Sequence, residues 1–147
     1  MQIWVDGDAC PKLIKDLLFR AAVRTQTYLM IVSNHTLSVP ASAYIKRWQV
    51  GYGFDVADNY IVDNMQAGDL VITADIPLAD DVVTKGGVAL NPRGELYTAN
   101  NIKQLLARRN LNESLRSCQV IKGGPDKLSA KEVQVFANTL DTLLAKR

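Results

Sequence analysis

Long hydrophobic runs are missing from this chain. None of its apolar stretches approaches the roughly 20 residues that a membrane-spanning helix requires. The first residues include two aspartates and lack the basic flank of a secretory signal peptide. We therefore expect a protein with no membrane segment, located in the cytoplasm.

Cysteine and histidine are also scarce. The 147 residues include two cysteines, Cys10 and Cys118, and one histidine, His35, with no CxxC pair. This disfavours a zinc site, and it indicates free thiols in a reducing compartment, with a disulfide between the two cysteines as the less favoured alternative. Cys10 has no candidate base beside it in the sequence, so we interpret it as a small buried thiol rather than a nucleophile.

Basic residues are absent from one long segment. Residues 48–84 contain no lysine or arginine but hold seven aspartates: Asp55, Asp58, Asp63, Asp69, Asp75, Asp80 and Asp81. Residues 101–147 contain nine basic residues, although the net charge of the whole chain is only +2. This asymmetry is typical of a cation site beside an anion-binding face, and a solvated surface with chance clustering is the alternative.

The apolar pattern predicts an α/β fold. Short continuous apolar runs, typical of strands buried on both faces, alternate with helical patterns, as in a parallel sheet built from βαβ units. We predict one domain over residues 1–147, with about five parallel strands flanked by helices. The strands are expected at residues 2–5, 28–32, 48–50, 69–73 and 88–90. The helices are expected from Pro11 through residue 22 and at 40–46, 55–66, 75–85, about 101–110 and 130–146.

Several of the acidic residues follow predicted strands. Asp6 and Asp8 come after the first strand, Asp75 and Asp80 come after the fourth, and Asp58 begins a helix. In open parallel sheets, ligands bind beyond the carboxyl ends of the strands. Clustered carboxylates need a counter-charge, and a set of oxygen ligands favours Mg²⁺ or Mn²⁺.

Each acidic residue also has a purely structural interpretation. Asp6 or Asp8 could cap the helix that begins near Pro11, and Asp75 could cap the helix that follows it. Asp58 could face solvent on its helix. Asp69 most simply belongs to a helix-to-strand turn after a glycine.

Several longer motifs resemble the YaiI/YqxD family of uncharacterised bacterial proteins. They are VDGDACP at 5–11, SN at 33–34, ADNYI at 57–61, GDLVITADIPLA at 68–79, NPRGELY at 91–97, GGP at 123–125 and FANTLDTLL at 136–144. The family looks like a branch of the PIN-like nuclease superfamily, whose three-layer parallel α/β domains use acidic residues to hold Mg²⁺ or Mn²⁺ for phosphodiester hydrolysis. The resemblance implies metal-holding and catalytic roles for Asp6, Asp58 and Asp75. Asp80 is the expected further acid, and Asp8 would be a ligand or would orient a metal-bound water.

The placement of the acids and the resemblance together predict a metal-dependent nuclease whose partner is a nucleic acid, with RNA favoured over DNA and the choice between them left open. Ser33, Asn34 and Thr73 are the expected phosphate or metal-water contacts, with an ordinary turn as the alternative for Ser33 and Asn34. Arg93 could bind a phosphate through two N–H groups, with a plain surface arginine as the alternative. Further backbone contacts are expected from Arg108, Arg109, Arg116, Lys122 and Lys127. Trp48 and Tyr52 could stack on bases, but core packing is the favoured interpretation.

Two other functions fit the sequence less well. A phosphatase of the haloacid dehalogenase type would use Asp6 and Asp8 as nucleophile and acid/base, but it usually needs a flap where Pro11 already begins a helix. A non-catalytic RNA-binding module with a structural metal is the third interpretation. The sequence leaves the oligomeric state open, with a homo-oligomer among the alternatives.

Overall fold

A computed structural model of the protein describes residues 1–7, 10–34, 38–51, 56–105, 107 and 129–145. Its strands are β1 (Ile3–Asp6), β2 (Leu29–Ser33), β3 (Ile45–Gln49), β4 (Leu70–Ile72), β5 (Val88–Leu90) and β6 (Leu96–Tyr97). Its helices are α1 (Lys12–Thr25), α2 (Val56–Asn64), α3 (Ile76–Thr84) and α4 (Ala130–Ala145). Residues 102–105 add a helical turn.

The six strands form one sheet in the order β3-β2-β1-β4-β5-β6. The first five strands are parallel, and β6 runs antiparallel to β5. The chain leaves β1 toward β2 and β3, then returns to the other side of β1 to begin β4. This reversal is a topological switch point, and in open parallel sheets ligands bind beside such a point, at the carboxyl ends of the strands.

The register across the sheet fixes which residues are neighbours at this edge. On one side of β1, Asp6 lies opposite Val32 of β2, which lies opposite Trp48 of β3. On the other side, Val5 lies opposite Ile72 of β4, which lies opposite Leu90 of β5.

Helices cover both faces of the sheet and give three layers. Alternate side chains of a strand point to opposite faces, and in β1 this places Ile3 and Val5 in one buried cluster and Trp4 in the other. The first cluster lies beneath α1 and α4, and the second lies beneath α2, α3 and the helical turn. Burial of each large apolar side chain in these clusters contributes about 1.5–3 kcal/mol.

The buried carboxylate of Asp69 joins the start of β4 to the start of β1. Its Oδ1 accepts a hydrogen bond from the Gln2 backbone N–H (3.0 Å), and its Oδ2 accepts from Trp4 Nε1 (3.1 Å) and from the Gln66 N–H (2.9 Å). Hydrogen bonds to a charged group contribute about 1.5–3 kcal/mol each. The expected role of Asp69 in a helix-to-strand turn is confirmed, and its further role is to hold the two central strands together.

A tight turn between β5 and β6 carries the last helix. Asn91 Oδ1 accepts hydrogen bonds from the backbone N–H groups of Arg93 (2.9 Å) and Glu95 (3.0 Å). Gly94 has a positive φ of 95° and lies directly against the backbone of α4 at Val135 and Phe136. The turn in the NPRGELY motif is therefore a docking point for α4, and Phe136 is fully buried beside it.

Most of the predicted elements are confirmed, and two predictions are wrong. The helix expected at 40–46 does not form, because residues 45–49 pair with β2 as an edge strand and the residues before them make bends and turns. Trp48, expected in the core, is 49% exposed on that strand. The antiparallel β6 was not predicted. Part of the helix expected at 101–110 and the loop after it lie outside the described residues.

Candidate active site at the carboxyl edge of the sheet

Three polar side chains form a row across the central strands. Val5, Ile72 and Leu90 are paired across β1, β4 and β5. Asp6, Thr73 and Asn91 each come one residue later, so they are neighbours at the carboxyl edge of the sheet. Strand alternation places all three on the face covered by α2 and α3. They are 7%, 2% and 8% exposed, respectively. We call Asp6, Thr73 and Asn91 the polar row. Because it lies beside the switch point, it is the candidate site.

Asp75 joins this row through the loop that begins α3. Its backbone N–H donates to Thr73 Oγ1 (3.0 Å), and its carboxylate Oδ1 accepts from the Leu78 N–H (3.0 Å) as the N-cap of α3. The expected capping role is therefore real. Capping uses the Oδ1 atom of Asp75, and its Oδ2 atom can bind a ligand.

Tyr97 and Asn91 are site residues that sequence reasoning missed. The pKa of the Tyr97 hydroxyl is raised, chiefly by burial, while a hydrogen bond with Asn91 lowers it and the charges of Glu95 and Asp75 raise it further. Tyr97 therefore lies close to both Asn91 and Asp75. The available signal was an asparagine directly after the fifth predicted strand, where ligand-binding residues are expected in this fold class.

The other predicted site residues lie farther from the polar row or outside the description. Asp58 is half-buried in the first turn of α2, which packs on the same face as the row. Ser33 is buried at the end of β2, but strand alternation places it on the α1 face; Asn34 follows it, half-buried. Asp80 comes two residues after the buried Leu78, about 200° around the helix, and so points away from the sheet.

Asp8 lies outside the described residues, as do Tyr52, His35 and the five basic residues of the expected backbone track.

The acidic residues that the structure describes do not form a dense cluster. Among them and the described His and Cys residues, no three side chains come together as a group able to hold a metal ion. Three acids do influence one another along α3, where the pKa of Asp81 is raised, first by burial and then by the charges of Asp80 and Asp75. Asp75, Asp80 and Asp81 therefore place three negative charges on this helix and its N-cap.

Arg93 is held by an ion pair rather than pointing freely into the site. Its Nη1 lies 2.5 Å from Glu132 Oε2 on α4. Glu132 also completes a capping box, since its Oε1 accepts from the Ser129 N–H and its own N–H donates to Ser129 Oγ, both at 3.1 Å. These contacts, the Ser129 N–H first and then Arg93, hold the pKa of Glu132 below its usual range.

The Cys10 thiol is expected to be chemically inert in the folded protein. Burial raises its pKa from 9.0 to about 12, with the charge of Lys15 lowering it and that of Asp6 raising it. The reactive thiolate is therefore about a thousandfold scarcer near pH 8 than for an exposed thiol. We predict that Cys10, as the sole cysteine in a Cys118→Ser background, reacts with iodoacetamide at least a hundredfold faster in urea than in the native state. Equal rates in the two states would contradict this picture.

The whole chain matches one family model. Residues 4–146 match the model described as "Uncharacterized BCR, YaiI/YqxD family". The chain belongs to the YaiI/YqxD family.

Relatives of the same length are found in several bacteria. A UPF0178 protein of Legionella pneumophila (strain Lens) is 60% identical over 146 residues, which cover 99% of each chain. A UPF0178 protein of Marinomonas sp. (strain MWYL1) is 56% identical over 147 residues, covering 100% of this YaiI/YqxD-family chain and 99% of the relative. One of Shewanella sp. (strain MR-4) is 59% identical over 145 residues, covering 99% and 97%. No solved structure matches the chain significantly.

The names of these relatives state no activity. Within the described ranges, this YaiI/YqxD-family protein has no helix long and apolar enough to cross a membrane.

Proposed function

We propose that this protein is a metal-dependent nuclease that hydrolyses phosphodiester bonds in RNA in the bacterial cytoplasm. The observation that carries the proposal is the polar row Asp6–Thr73–Asn91 at the carboxyl edge of three adjacent strands, beside the switch point of the sheet. Asp75 is tied to that row by its hydrogen bond to Thr73. The motif resemblance to PIN-like nucleases, which use acids at these positions, agrees with the placement.

The donors at this edge suit Mg²⁺ or Mn²⁺. They are carboxylate and hydroxyl oxygens, with no thiolate or imidazole among the described site residues. Mg²⁺ is usually bound through one or two carboxylates, keeps several waters, and takes further ligands from substrate phosphates. A group of three acids is therefore not required. Asp6 and Asp75 would hold the ion, with Asp8 and Asp58 as the further acids proposed to contribute. Asp80, which points away from the sheet, would add only negative charge near the site.

Each residue of the row has a distinct task in this proposal. A bound divalent ion would polarise the phosphate and lower the pKa of an attacking water. Thr73 fixes the position of Asp75 by accepting a hydrogen bond from its backbone. Asn91, held in the β5–β6 turn, would position Tyr97 through their hydrogen bond, and the Tyr97 hydroxyl would face the phosphate oxygens at the far end of the row. Ser33, Asn34 and Arg93 would contact substrate only at the margins of the site.

The phosphatase alternative is less well supported. Its flap would have to be inserted between the end of β1 and the following helix. Here α1 begins at Lys12, directly after Pro11 at its N-cap, so only a short connection follows Asp6. Trapping a covalent aspartyl-phosphate on Asp6 would favour the phosphatase over the nuclease.

The proposal is tested with the purified protein and single-stranded RNA. We expect cleavage in Mn²⁺ that stops in excess EDTA, and we expect Asp75→Asn to lower the rate strongly. Asparagine caps a helix as well as aspartate does, so the melting temperature should stay close to that of the wild type. Asp63→Asn, which changes an exposed acid at the end of α2, is the matched control and should cleave normally.

Two results would overturn the nuclease proposal. One is cleavage that persists in EDTA or in Asp75→Asn. The other is RNA binding without any cleavage in Mn²⁺, which would indicate the non-catalytic RNA-binding module instead.

A further inference from the structure

An exposed aromatic stack lies beside the candidate site. The Trp48 indole of β3 and the Tyr60 ring of α2 are stacked, with centroids 5.6 Å apart and planes 12° apart. Behind them, the buried Trp4 meets the same tyrosine edge-on at 6.4 Å. Trp48 remains 49% exposed although Tyr60 packs on its ring. The protein therefore presents a large, oriented aromatic surface to solvent.

The register aligns this stack with the catalytic candidate Asp6. Trp48 lies opposite Val32, and Val32 lies opposite Asp6, so the three residues form one line across the sheet. Trp48 stacks on α2, which packs on the face that also carries the polar row. Two strand spacings separate Trp48 from Asp6, a distance of about 10 Å. A polymer bound at Asp6 could thus reach the indole within one or two nucleotides.

One basic residue accompanies the exposed tryptophan on its face of β3. Lys46 stands two positions before Trp48 on β3, so its side chain leaves the same face of the strand, and it is exposed. Such a combination of aromatic ring and positive charge is used by proteins that bind single-stranded nucleic acid, in which bases stack on the rings and phosphates meet the charges. The acidic segment that follows the strand lacks any lysine or arginine, so Lys46 contributes positive charge close to the site.

We propose that Trp48, supported by Tyr60 and flanked by Lys46, is a base-stacking subsite for single-stranded nucleic acid. It holds a nucleotide next to the one whose phosphate reaches Asp6. This inference rests on the proposed nuclease function, because it names how that substrate is held. A duplex does not fit the subsite, since paired bases cannot offer a free ring face to the indole.

Binding in EDTA tests the subsite without any chemistry. The probe is a fluorescein-labelled oligouridylate of about twelve nucleotides, followed by anisotropy. We expect Trp48→Leu to weaken binding about tenfold, since each stacked base contributes substantially to affinity, and Trp48→Phe to retain most of it. Tyr28→Leu is the matched control, because Tyr28 is an aromatic residue of similar exposure, 53%, that contacts Tyr44 in a tilted pair before β2, at the opposite edge of the sheet from the polar row.

Two further probes separate stacking from attraction to phosphates. An abasic oligomer of the same length should bind wild type and Trp48→Leu equally. Lys46→Gln should reduce the slope of log affinity against log salt by about 0.7. Failure of the wild type to bind the oligouridylate, equal affinity of Trp48→Leu for it, or equal weakening of abasic binding would each overturn the subsite.

Cleavage of the abasic oligomer keeps this test apart from that of the proposed function. The abasic oligomer carries no aromatic ring, so Trp48→Leu should lower the ratio of oligouridylate cleavage to abasic cleavage in Mn²⁺ about tenfold. An equal loss of rate on both oligomers would count against the subsite. Trp48-dependent oligouridylate binding with no hydrolysis by the wild type would support the subsite while the nuclease proposal fails.

Discussion

Replacing Asp6 with asparagine is expected to lower metal-dependent cleavage at least about a hundredfold while the protein remains folded. Replacing a residue that only hydrogen-bonds to a metal ligand typically lowers metal affinity or activity about 10–100-fold. Replacing the ligand itself should lower it at least as much. Asp6 is the only acid of the polar row, and it is buried at the end of the central strand. Its carboxylate charge therefore has no substitute within the row.

The Asp6 variant is best compared with a surface variant. Asparagine has nearly the same shape as aspartate, so the core around β1 stays filled. Residues at functional sites often lower the stability of the folded protein. We expect a cooperative melting transition within a few degrees of the wild type. Asp16→Asn, on the exposed side of α1, should leave both stability and cleavage unchanged. Full activity of folded Asp6→Asn would refute the nuclease proposal outright.

Gly94→Ala is expected to destabilise the fold by at least about 2 kcal/mol. An added Cβ would lie 2.7 Å from Val135 Cγ1 and 2.8 Å from the Phe136 backbone nitrogen, and a helix backbone cannot move aside cheaply. The positive φ of 95° adds a penalty of about 1–2 kcal/mol, and overpacking adds about 1–3 kcal/mol. Urea unfolding followed by circular dichroism measures the sum.

Two other glycines divide this penalty into its parts. Gly68 also has a positive φ, of 90°, but no atom lies within 4 Å of its added Cβ, so Gly68→Ala should show the backbone strain alone. Gly51 has neither feature, and Gly51→Ala should change stability by less than about 0.5 kcal/mol. A loss in Gly94→Ala no greater than in Gly68→Ala would mean that the turn does not press on α4 as described.

The central strands and the helices of the fold were predictable from the sequence. Strands buried on both faces, such as β1 with its Ile3–Asp6 run, leave a continuous apolar signal, and α3 carries its own start signal in Asp75 and Pro77. β3 was misplaced because an edge strand exposes most of its side chains. Lys46 and Arg47 therefore break the apolar pattern, and Pro40 imitates a helix start. β6, with two residues, is too short to leave any signal.

The site was predictable only where position along a strand decides it. Asp6 and Thr73 follow strands whose ends could be read from the sequence, and both lie in the polar row. Arg93 could not be understood in this way, because its partner Glu132 is 39 residues away in the chain and on a separate helix. The exposure of Trp48 was misjudged for a related reason. The sequence shows an aromatic residue in a strand but does not show that the strand lies at the edge of the sheet.

The pairing of β1 with β4 has a consequence for the order in which this protein is made. The Asp69 bond to Gln2 spans 67 residues, and Asn91 must follow before the row is complete. While the ribosome has released only β1, β2 and β3, one edge of β1 has no partner and Asp6 has no neighbours on that side. Contacts of such large sequence separation form slowly. A nascent chain of this protein therefore cannot carry the proposed activity until well over half of it has been synthesised.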